Sequence, residues 1–446
     1  MRVLLLPHRY PPHGRGGVET WAKSLRRGLR GLGAHVDVVS RDDRSGGGAP
    51  FVVREEREEG GSTYWISHRH ADARSYRETW DDPRMDAALR SVVRAARPDV
   101  LHLAHPDGFG VTPLRLAREL GVPLVVTLHD PKWFCGRGQL VTEDGEICEE
   151  AREERCVRCL SDQLSRGPIR GAVARTLPSL RRWAGPSGPV DARRDPGAIA
   201  RRRWHVRQAA LRAVLDGADA VTSPSRYLAG LARHHGVERP IEVISNGVPV
   251  PGAAPWPEGP LRLGWFGVLG PCKGLNVLLD AVRGLPAGRW SLQIHGASEA
   301  DVRALDPRGL PPEVVVRGPY AAKDAAKLMG AVHAVVLPST WPENQPMVAL
   351  EARSAGRALI ASDIGGMPEL IAHEVDGWLV PPGDPDVLRS CLAARMADPD
   401  GVRRAADAGT RPPDLAIVSR AYARLYLDAL GGVLPAFDPR STCPSQ

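Results

Sequence analysis

Residues 334–369 read AVVLPSTWPENQPMVALEARSAGRALIASDIGGMPE, and the alternation inside this stretch decides the fold. Ala334 to Leu337 is a short apolar run, as expected of a strand buried on both faces of a parallel sheet. A polar loop then delivers Glu343. Pro346 suits the first position of a helix that continues through Glu351 and stops at Gly356. Ala358 to Ala361 is the next apolar run. Strand, loop, helix and strand in this order make a βα unit of a parallel sheet with right-handed crossovers.

The same alternation extends outward in both directions. Leu261–Phe266, Ser291–His295, Val314–Arg317 and Gly377–Val380 are further strand candidates, mostly separated by helical segments. In the first half, Val3–Leu6 is followed by a loop from Pro7 to Gly17. Next comes an amphipathic segment from Val18 to Leu32, with Trp21, Leu25, Leu29 and Leu32 at helical spacing. Gly33 closes that helix, and His35–Ser40, Asp99–Leu103 and Leu124–Leu128 are strand candidates. Residues 246–260 hold five prolines and three glycines, the composition of a linker. The chain is therefore read as α/β, with two Rossmann-like doubly wound domains at 1–248 and 249–415. A helix at 416–432 is expected to return to the first domain, and the tail 433–446 is expected to be disordered. Ligands of such sheets sit beyond the carboxyl ends of the strands, which predicts a shared site in a cleft between the domains.

Composition narrows the function. The 446 residues are 43% hydrophobic and 25% charged, a globular balance that excludes a fibre. No apolar run approaches the roughly 20 residues of a membrane helix. Val3–Leu6 is too short for a signal peptide, so a cytoplasmic protein is expected. The net charge of +7 is concentrated: between Arg166 and Arg212 lie twelve arginines against two aspartates, with Trp183 and Trp204 among them. Such a stretch suits an anionic membrane surface or a phosphate-bearing acceptor, and equally a solvated insertion at 165–205. Nucleic-acid binding is not expected, because no helix-turn-helix, RNA-recognition or finger spacing accompanies the charge.

Two familiar phosphate chemistries are excluded by spacing. Gly14-Arg15-Gly16-Gly17-Val18-Glu19 puts Glu19 where a dinucleotide fingerprint needs its third glycine. Cys272-Lys273-Gly274 lacks the neighbours of a Walker A loop. The loop of 338–346 offers something else. The N–H groups of Met347 and Val348 begin a helix without intrahelical partners and suit a phosphate or sugar oxygen. Glu343 and Glu351, eight residues apart, are placed to hold two sets of hydroxyls along an extended ligand. Asp384/Asp386 and Asp398/Asp400 have Asp-x-Asp spacing but lie in Asp-Pro-Asp turns and are discounted as metal ligands.

At this point the segment resembles the donor-binding signature of the retaining glycosyltransferases of family GT4, which share the two-domain GT-B fold. The matching positions are Glu343, Glu351, Gly356, Gly365, Gly366 and Glu369. The resemblance implies that Glu343 holds hydroxyls of a donor sugar and Glu351 the ribose of its nucleotide. Asn344, Gln345, Pro346, Met347 and Val348 would meet sugar and phosphates. Residues 265–274 resemble the family's basic loop for the donor diphosphate, with Lys273 on the lysine position. Many members also carry an arginine where this chain has Val268. Gly16 and Gly17 fall in the family's glycine loop, and His129 falls on a strand-end histidine facing the donor sugar. Ser223-Pro224-Ser225-Arg226 and Ile244-Ser245-Asn246-Gly247-Val248 match two signatures read as architectural. His102 and His105 are read as structural or ligand-touching.

The implied activity is transfer of a sugar, with retention, from a nucleotide-sugar donor to a glycan or lipid-linked acceptor of the cell envelope. His129, Glu343 and Lys273 would act in catalysis, and no catalytic divalent metal is expected. Peripheral attachment to the inner face of the plasma membrane would accompany a lipid-linked acceptor. Other GT-B enzymes, such as a sugar-nucleotide epimerase or a phosphorylase, and a non-catalytic binding protein are the rival classes. Separately, Cys135, Cys148, Cys156 and Cys159 fall within 25 residues, the last two as Cys-x-x-Cys. Structural zinc is the favoured reading of this cluster; reduced thiols and a redox pair are the others.

Overall fold

A computed structural model of the chain describes residues 1–14, 16–43, 49–69, 72–142, 144–164, 196–250 and 254–431. Arg15, most of the basic stretch (165–195, including Trp183) and the tail 433–446 lie outside the described residues. The chain forms two compact units. One comprises Met1–Ser223, Ala229–Glu242 and the chain from Ser419 onward; the other comprises Pro224–Leu228 and Val243–Val418.

The first unit is built on an eight-stranded sheet. Its strands are β1 (Arg2–Leu6), β2 (His35–Asp42), β3 (Val53–Glu58), β4 (Gly61–Ser67), β5 (Val100–Leu103), β6 (Leu124–Thr127), β7 (Ala220–Ser223) and β8 (Ile241–Val243). They lie in the order β3-β4-β2-β1-β5-β6-β7-β8. Val3 to Leu6 are inaccessible to solvent, as a central strand covered on both faces requires. Parallel pairing joins β1 to both β2 and β5, while β3 and β4 form an antiparallel edge hairpin. That hairpin and β7 and β8 are additions to the strands expected from sequence. In β3, VREERE is exposed at every position after Val53, so no hydrophobic periodicity betrays it.

The second unit has a six-stranded, wholly parallel sheet. It comprises β9 (Leu261–Phe266), β10 (Trp290–His295), β11 (Val314–Gly318), β12 (Ala334–Leu337), β13 (Ala358–Ser362) and β14 (Gly377–Val380). The order is β11-β10-β9-β12-β13-β14. Leu263, Leu292, Val336 and Ile360 meet in one core with Leu278 and Leu279 of the helix Leu275–Arg283. A second core on the other face joins Val335 and Leu359 to Ala349 and Ala352 of the helix Met347–Ser354.

The helix Leu415–Ala429 is the last element of the described chain, and from Ser419 it belongs to the first unit. Tyr422 and Tyr426 anchor it there. The Tyr426 hydroxyl bonds His102 Nδ1 at 2.6 Å, and the Tyr422 hydroxyl lies 3.3 Å from Thr127 Oγ1. Among the described residues no helix is long and apolar enough to cross a membrane.

Candidate active site

Strand order locates the site before any side chain is considered. From β9 the second sheet grows one way through β10 and β11 and the other way through β12 to β14. The boundary between β9 and β12 is thus a topological switch point, where loops leaving adjacent carboxyl ends diverge and open a crevice. Lys273 follows β9 and Glu343 follows β12.

Backbone interlocking fixes these loops. Gly274 has φ +67°, and a Cβ there would lie 1.7 Å from the Pro338 carbonyl oxygen, so only glycine fits. Thr340 N donates to Cys272 O at 2.9 Å. From the other side, Gly366 N donates to Glu343 O at 2.7 Å, and a Cβ on Gly366 would stand 1.8 Å from Asn344 O. The double glycine therefore acts first as a backbone clamp on the loop that carries Glu343.

Inside that frame Lys273 Nζ donates to Glu343 Oε1 at 2.7 Å, and Ser339 Oγ donates to the same oxygen at 2.7 Å. The Lys273 ammonium also stands 5.3 Å from the centre of the Trp341 ring. Lys273 ends a 3-10 turn, Pro271–Lys273, two residues before the helix Leu275–Arg283 begins. Glu343 is 6% exposed, so this carboxylate exchanges water for one cation and one hydroxyl.

Glu351 has a different environment. Burial alone pushes its carboxyl up to about 7. Its charge also acts on Tyr320, whose hydroxyl is pushed upward by burial first and by Glu351 second. Burial and then Arg317 lower the nearby strand-end His295 to about 4, and its ring stacks on Phe266 at 4.6 Å. Ser339, Trp341, Tyr320 and His295 escape a reading of sequence. Nothing but their fold position distinguishes them, although a tryptophan in so proline-rich a loop is a signal.

The two signatures expected to be architectural both grip the Glu343 loop. Ser225 Oγ donates to Asn344 Oδ1 while accepting from Leu228 N at 3.1 Å. Asn246 N donates to Gln345 Oε1 at 2.7 Å, and Gln345 Nε2 donates to Ser245 Oγ at 3.0 Å. Asn344 and Gln345 are thus committed to the protein by their side chains. Pro346 corrects the expectation from sequence: it is the N-cap, with ψ 128°, and the helix begins at Met347. Extended ψ keeps Pro346 outside the helix, yet its carbonyl still accepts from Ala349 N at 3.0 Å. The N–H groups of Met347 and Val348 precede this first intrahelical bond. Val268, between β9 and the Pro271–Lys273 turn, is 57% exposed.

His129, Gly16 and Gly17 belong to the first unit, where β1 and β5 form a second switch point. Gly16 caps the helix Gly17–Gly31, and a Cβ on it would lie 2.6 Å from Glu19 Oε2. Glu19, raised by burial, comes within 3.7 Å of His8 Nε2. His105 Nε2 pairs with Asp130 Oδ2 at 2.6 Å. Burial alone would raise Asp130, but the charge and hydrogen bond of His105, with the N–H and charge of Lys132, outweigh it and hold the carboxyl low. Burial lowers His129 to about 3, its ring packed 4.2 Å from that of Trp21. A neutral imidazole results. His102 is structural: fully buried, it bonds Tyr426 and also Thr127 Oγ1 at 2.7 Å.

Asp384 accepts from Asp386 N and Val387 N, and Asp398 accepts from Gly401 N. Both Asp-x-Asp sequences are helix caps. Cys135, Cys148, Cys156 and Cys159 line one small cavity, and burial pushes the Cys156 thiol up to about 12, aided by the three neighbouring thiols. Trp204, from the described end of the basic stretch, is buried against Tyr76, Leu160 and Leu164.

Two parallel-sheet α/β units, with Lys273 and Glu343 meeting across a switch point just before a helix N-terminus, define a GT-B glycosyltransferase. The profile described as Glycosyl transferases group 1 matches residues 260–398, and that described as Glycosyl transferase 4-like domain matches residues 16–247. The chain belongs to this family, the group 1 glycosyltransferases of GT4 type. The glycogen synthase of Mycobacterium tuberculosis is 26% identical over 466 residues, spanning 97% of this chain and 96% of that protein. Sucrose-phosphate synthase from Thermosynechococcus elongatus shares the fold with a TM-score of 0.67 at 18% identity, covering 97% of this chain and all of that one. Anabaena HepE, solved in complex with UDP and glucose, gives a TM-score of 0.61 at 18% identity and covers 96% of this chain and all of its own.

Proposed function

We propose that this glycosyltransferase moves a hexosyl group, with retention of anomeric configuration, from a nucleoside-diphosphate sugar to a hydroxyl of a glycan or lipid-linked cell-envelope precursor. The observation that carries the reading is the Lys273–Glu343–Ser339 constellation beside the N-terminus of the helix Met347–Ser354. As the bond between the sugar and the diphosphate breaks, negative charge grows on the leaving group and positive charge on the ring. Lys273 and the amides of Met347 and Val348 would meet the first; preorganised donors of this kind are worth several kcal/mol in a site shielded from water. Glu343 would hold sugar hydroxyls and Glu351 the ribose. The family resemblance further assigns Gly16, Gly17 and the neutral His129 of the first unit to recognition of the donor sugar.

In this scheme the leaving group's charge is met by protein groups, so chelation of divalent ions is expected to leave the rate unchanged. The UDP and glucose bound by HepE make UDP-glucose the first donor to try. The basic stretch Arg166–Arg212 favours an acceptor on an anionic, cytoplasmic-facing membrane. Vesicle flotation with and without residues 165–195 checks this, and the deletion should stop short of the buried Trp204.

The decisive experiment is thermal shift against UDP-, GDP-, ADP- and dTDP-sugars, repeated on Glu351→Ala. A ligand that binds the native state alone raises the melting temperature according to its affinity. One responding nucleotide class, lost in the variant, supports the donor site and names the base. No response to any donor would sink the catalytic reading, and NMR of the product's anomeric proton tests retention.

A further inference from the structure

Between β6 and the helix Pro196–Gly217 the chain makes a long excursion whose described part contains only short elements. Four cysteines reach one point in it from three directions. Cys135 follows the 3-10 turn Pro131–Trp133, its N–H bonded to Pro131 O at 2.7 Å. Cys148 closes a tight hairpin formed by the Val141–Ile147 bridge and a 2.7 Å bond from its own N–H to Leu140 O. Cys156 and Cys159 stand three residues apart on the helix Glu153–Cys159, a spacing that puts both on one face.

All four line a single cavity of about 20 Å³, walled between the sulfurs by Leu140, Val141, Ala151 and Leu160. The space fits one water-sized sphere. Arg137, Glu150 and Arg155 join the lining, so the four thiols share the space with both charged and apolar neighbours.

We infer that Cys135, Cys148, Cys156 and Cys159 together bind one zinc ion as a structural tetrathiolate site. The sulfurs do not yet stand at coordinating positions: among the described residues no three His, Cys, Asp or Glu side chains are arranged to hold a metal ion. The backbone supplies the convergence. A cysteine sulfur turns about one torsion, and all four border the same cavity, so binding would draw the four side chains inward upon it. Binding exchanges four S–H protons for four Zn–S bonds of about 2.3 Å and releases those protons to solvent, with no change of oxidation state. Arg137 and Arg155 also line the cavity and offset the double negative charge of the product.

The site would staple the described part of this excursion, whose elements are all short. Its effect would reach Asp130, because Lys132 Nζ donates to Gly136 O at 2.9 Å and Arg207 Nη2 donates to Lys132 O at 2.7 Å. The staple thus anchors the segment that presents His129 and the His105–Asp130 pair.

Metal analysis of the purified full chain tests the proposal independently of catalysis. One equivalent of zinc per chain is expected, released to a chromogenic chelator when an organomercurial blocks the thiols, and absent from Cys156→Ser/Cys159→Ser. Because that variant can fail to fold, the wild-type chain is also reconstituted with cobalt(II). Intense thiolate-to-cobalt charge transfer with tetrahedral visible bands is expected. Protein purified without chelator that holds no metal, leaves all four thiols free to titrate and takes up no added zinc would overturn the site. So would zinc retained in the double variant, a Cys156–Cys159 disulfide, or iron accompanied by acid-labile sulfide.

Discussion

Lys273 and Glu343, seventy residues apart in sequence, meet at 2.7 Å across the switch point of the second sheet. Each answers a problem of the other: the carboxylate is buried, and the ammonium, 36% exposed, waits for an anion. Lys273→Met should lower kcat about a hundredfold by removing charge from the leaving group. It should also cost about 1–3 kcal/mol of stability, because Glu343 keeps only Ser339 as a partner. Steady-state kinetics and urea unfolding read the two effects separately. A lysine of purely structural importance would lose stability without the kcat effect in variant that remains folded.

Glu351 ties stability to pH in the opposite sense from an ordinary ion-paired carboxylate. Its folded pKa of about 7 lies above the model-compound value of 4.5. The folded state therefore holds the proton more tightly, and the associated stability is complete below the unfolded pKa and is lost as pH rises through the folded one. Glu351→Gln should remove this loss. Its melting temperature should exceed that of the wild type at about pH 8, by roughly 3 kcal/mol in stability terms, with the gap closing towards about pH 5. The same variant should lose the donor-induced shift. Equal melting curves across that range would contradict the assignment.

Val268 stands where the family resemblance expects an arginine. Exposed beside the basic loop, it is open to replacement without disturbing the core. Val268→Arg should tighten nucleotide-sugar binding about tenfold, or roughly 1.4 kcal/mol, with a steeper salt dependence than the wild type. Isothermal titration at two ionic strengths decides it; unchanged affinity would mean that another group already supplies the charge.

The carboxyl-terminal helix can be tested through one hydroxyl. Tyr426→Phe leaves His102 Nδ1 without its 2.6 Å partner in a fully buried position. A loss of about 1–3 kcal/mol is expected, with no change in KM for the donor. Denaturant unfolding paired with donor titration checks both halves.

Much of this was readable beforehand, and for a physical reason. Central parallel strands such as Val3–Leu6 and Ala334–Leu337 are buried on both faces, so each is a continuous apolar run. Edge strand β3 obeys no such rule: one charged residue follows another because solvent covers it. Proline at 346 signals a helix start, but its ψ, set by the tertiary path of the loop, makes it the cap. Lys273 and Glu343 were legible as separate residues. Their pairing was not, since it depends on β9 and β12 being neighbours, a fact of topology. The same holds for Ser339 and Trp341, whose partners come from the arrangement of the loops.

The Gly274–Pro338 contact has a consequence for how ligand is received. With the backbones after β9 and β12 locked together, the anchoring frame exists before any nucleotide arrives. Little ordering entropy then remains to be lost on that side of the ligand. Donor preference should consequently be adjustable by exchanging side chains on a fixed scaffold. An alanine at position 274, by contrast, should cripple every donor alike.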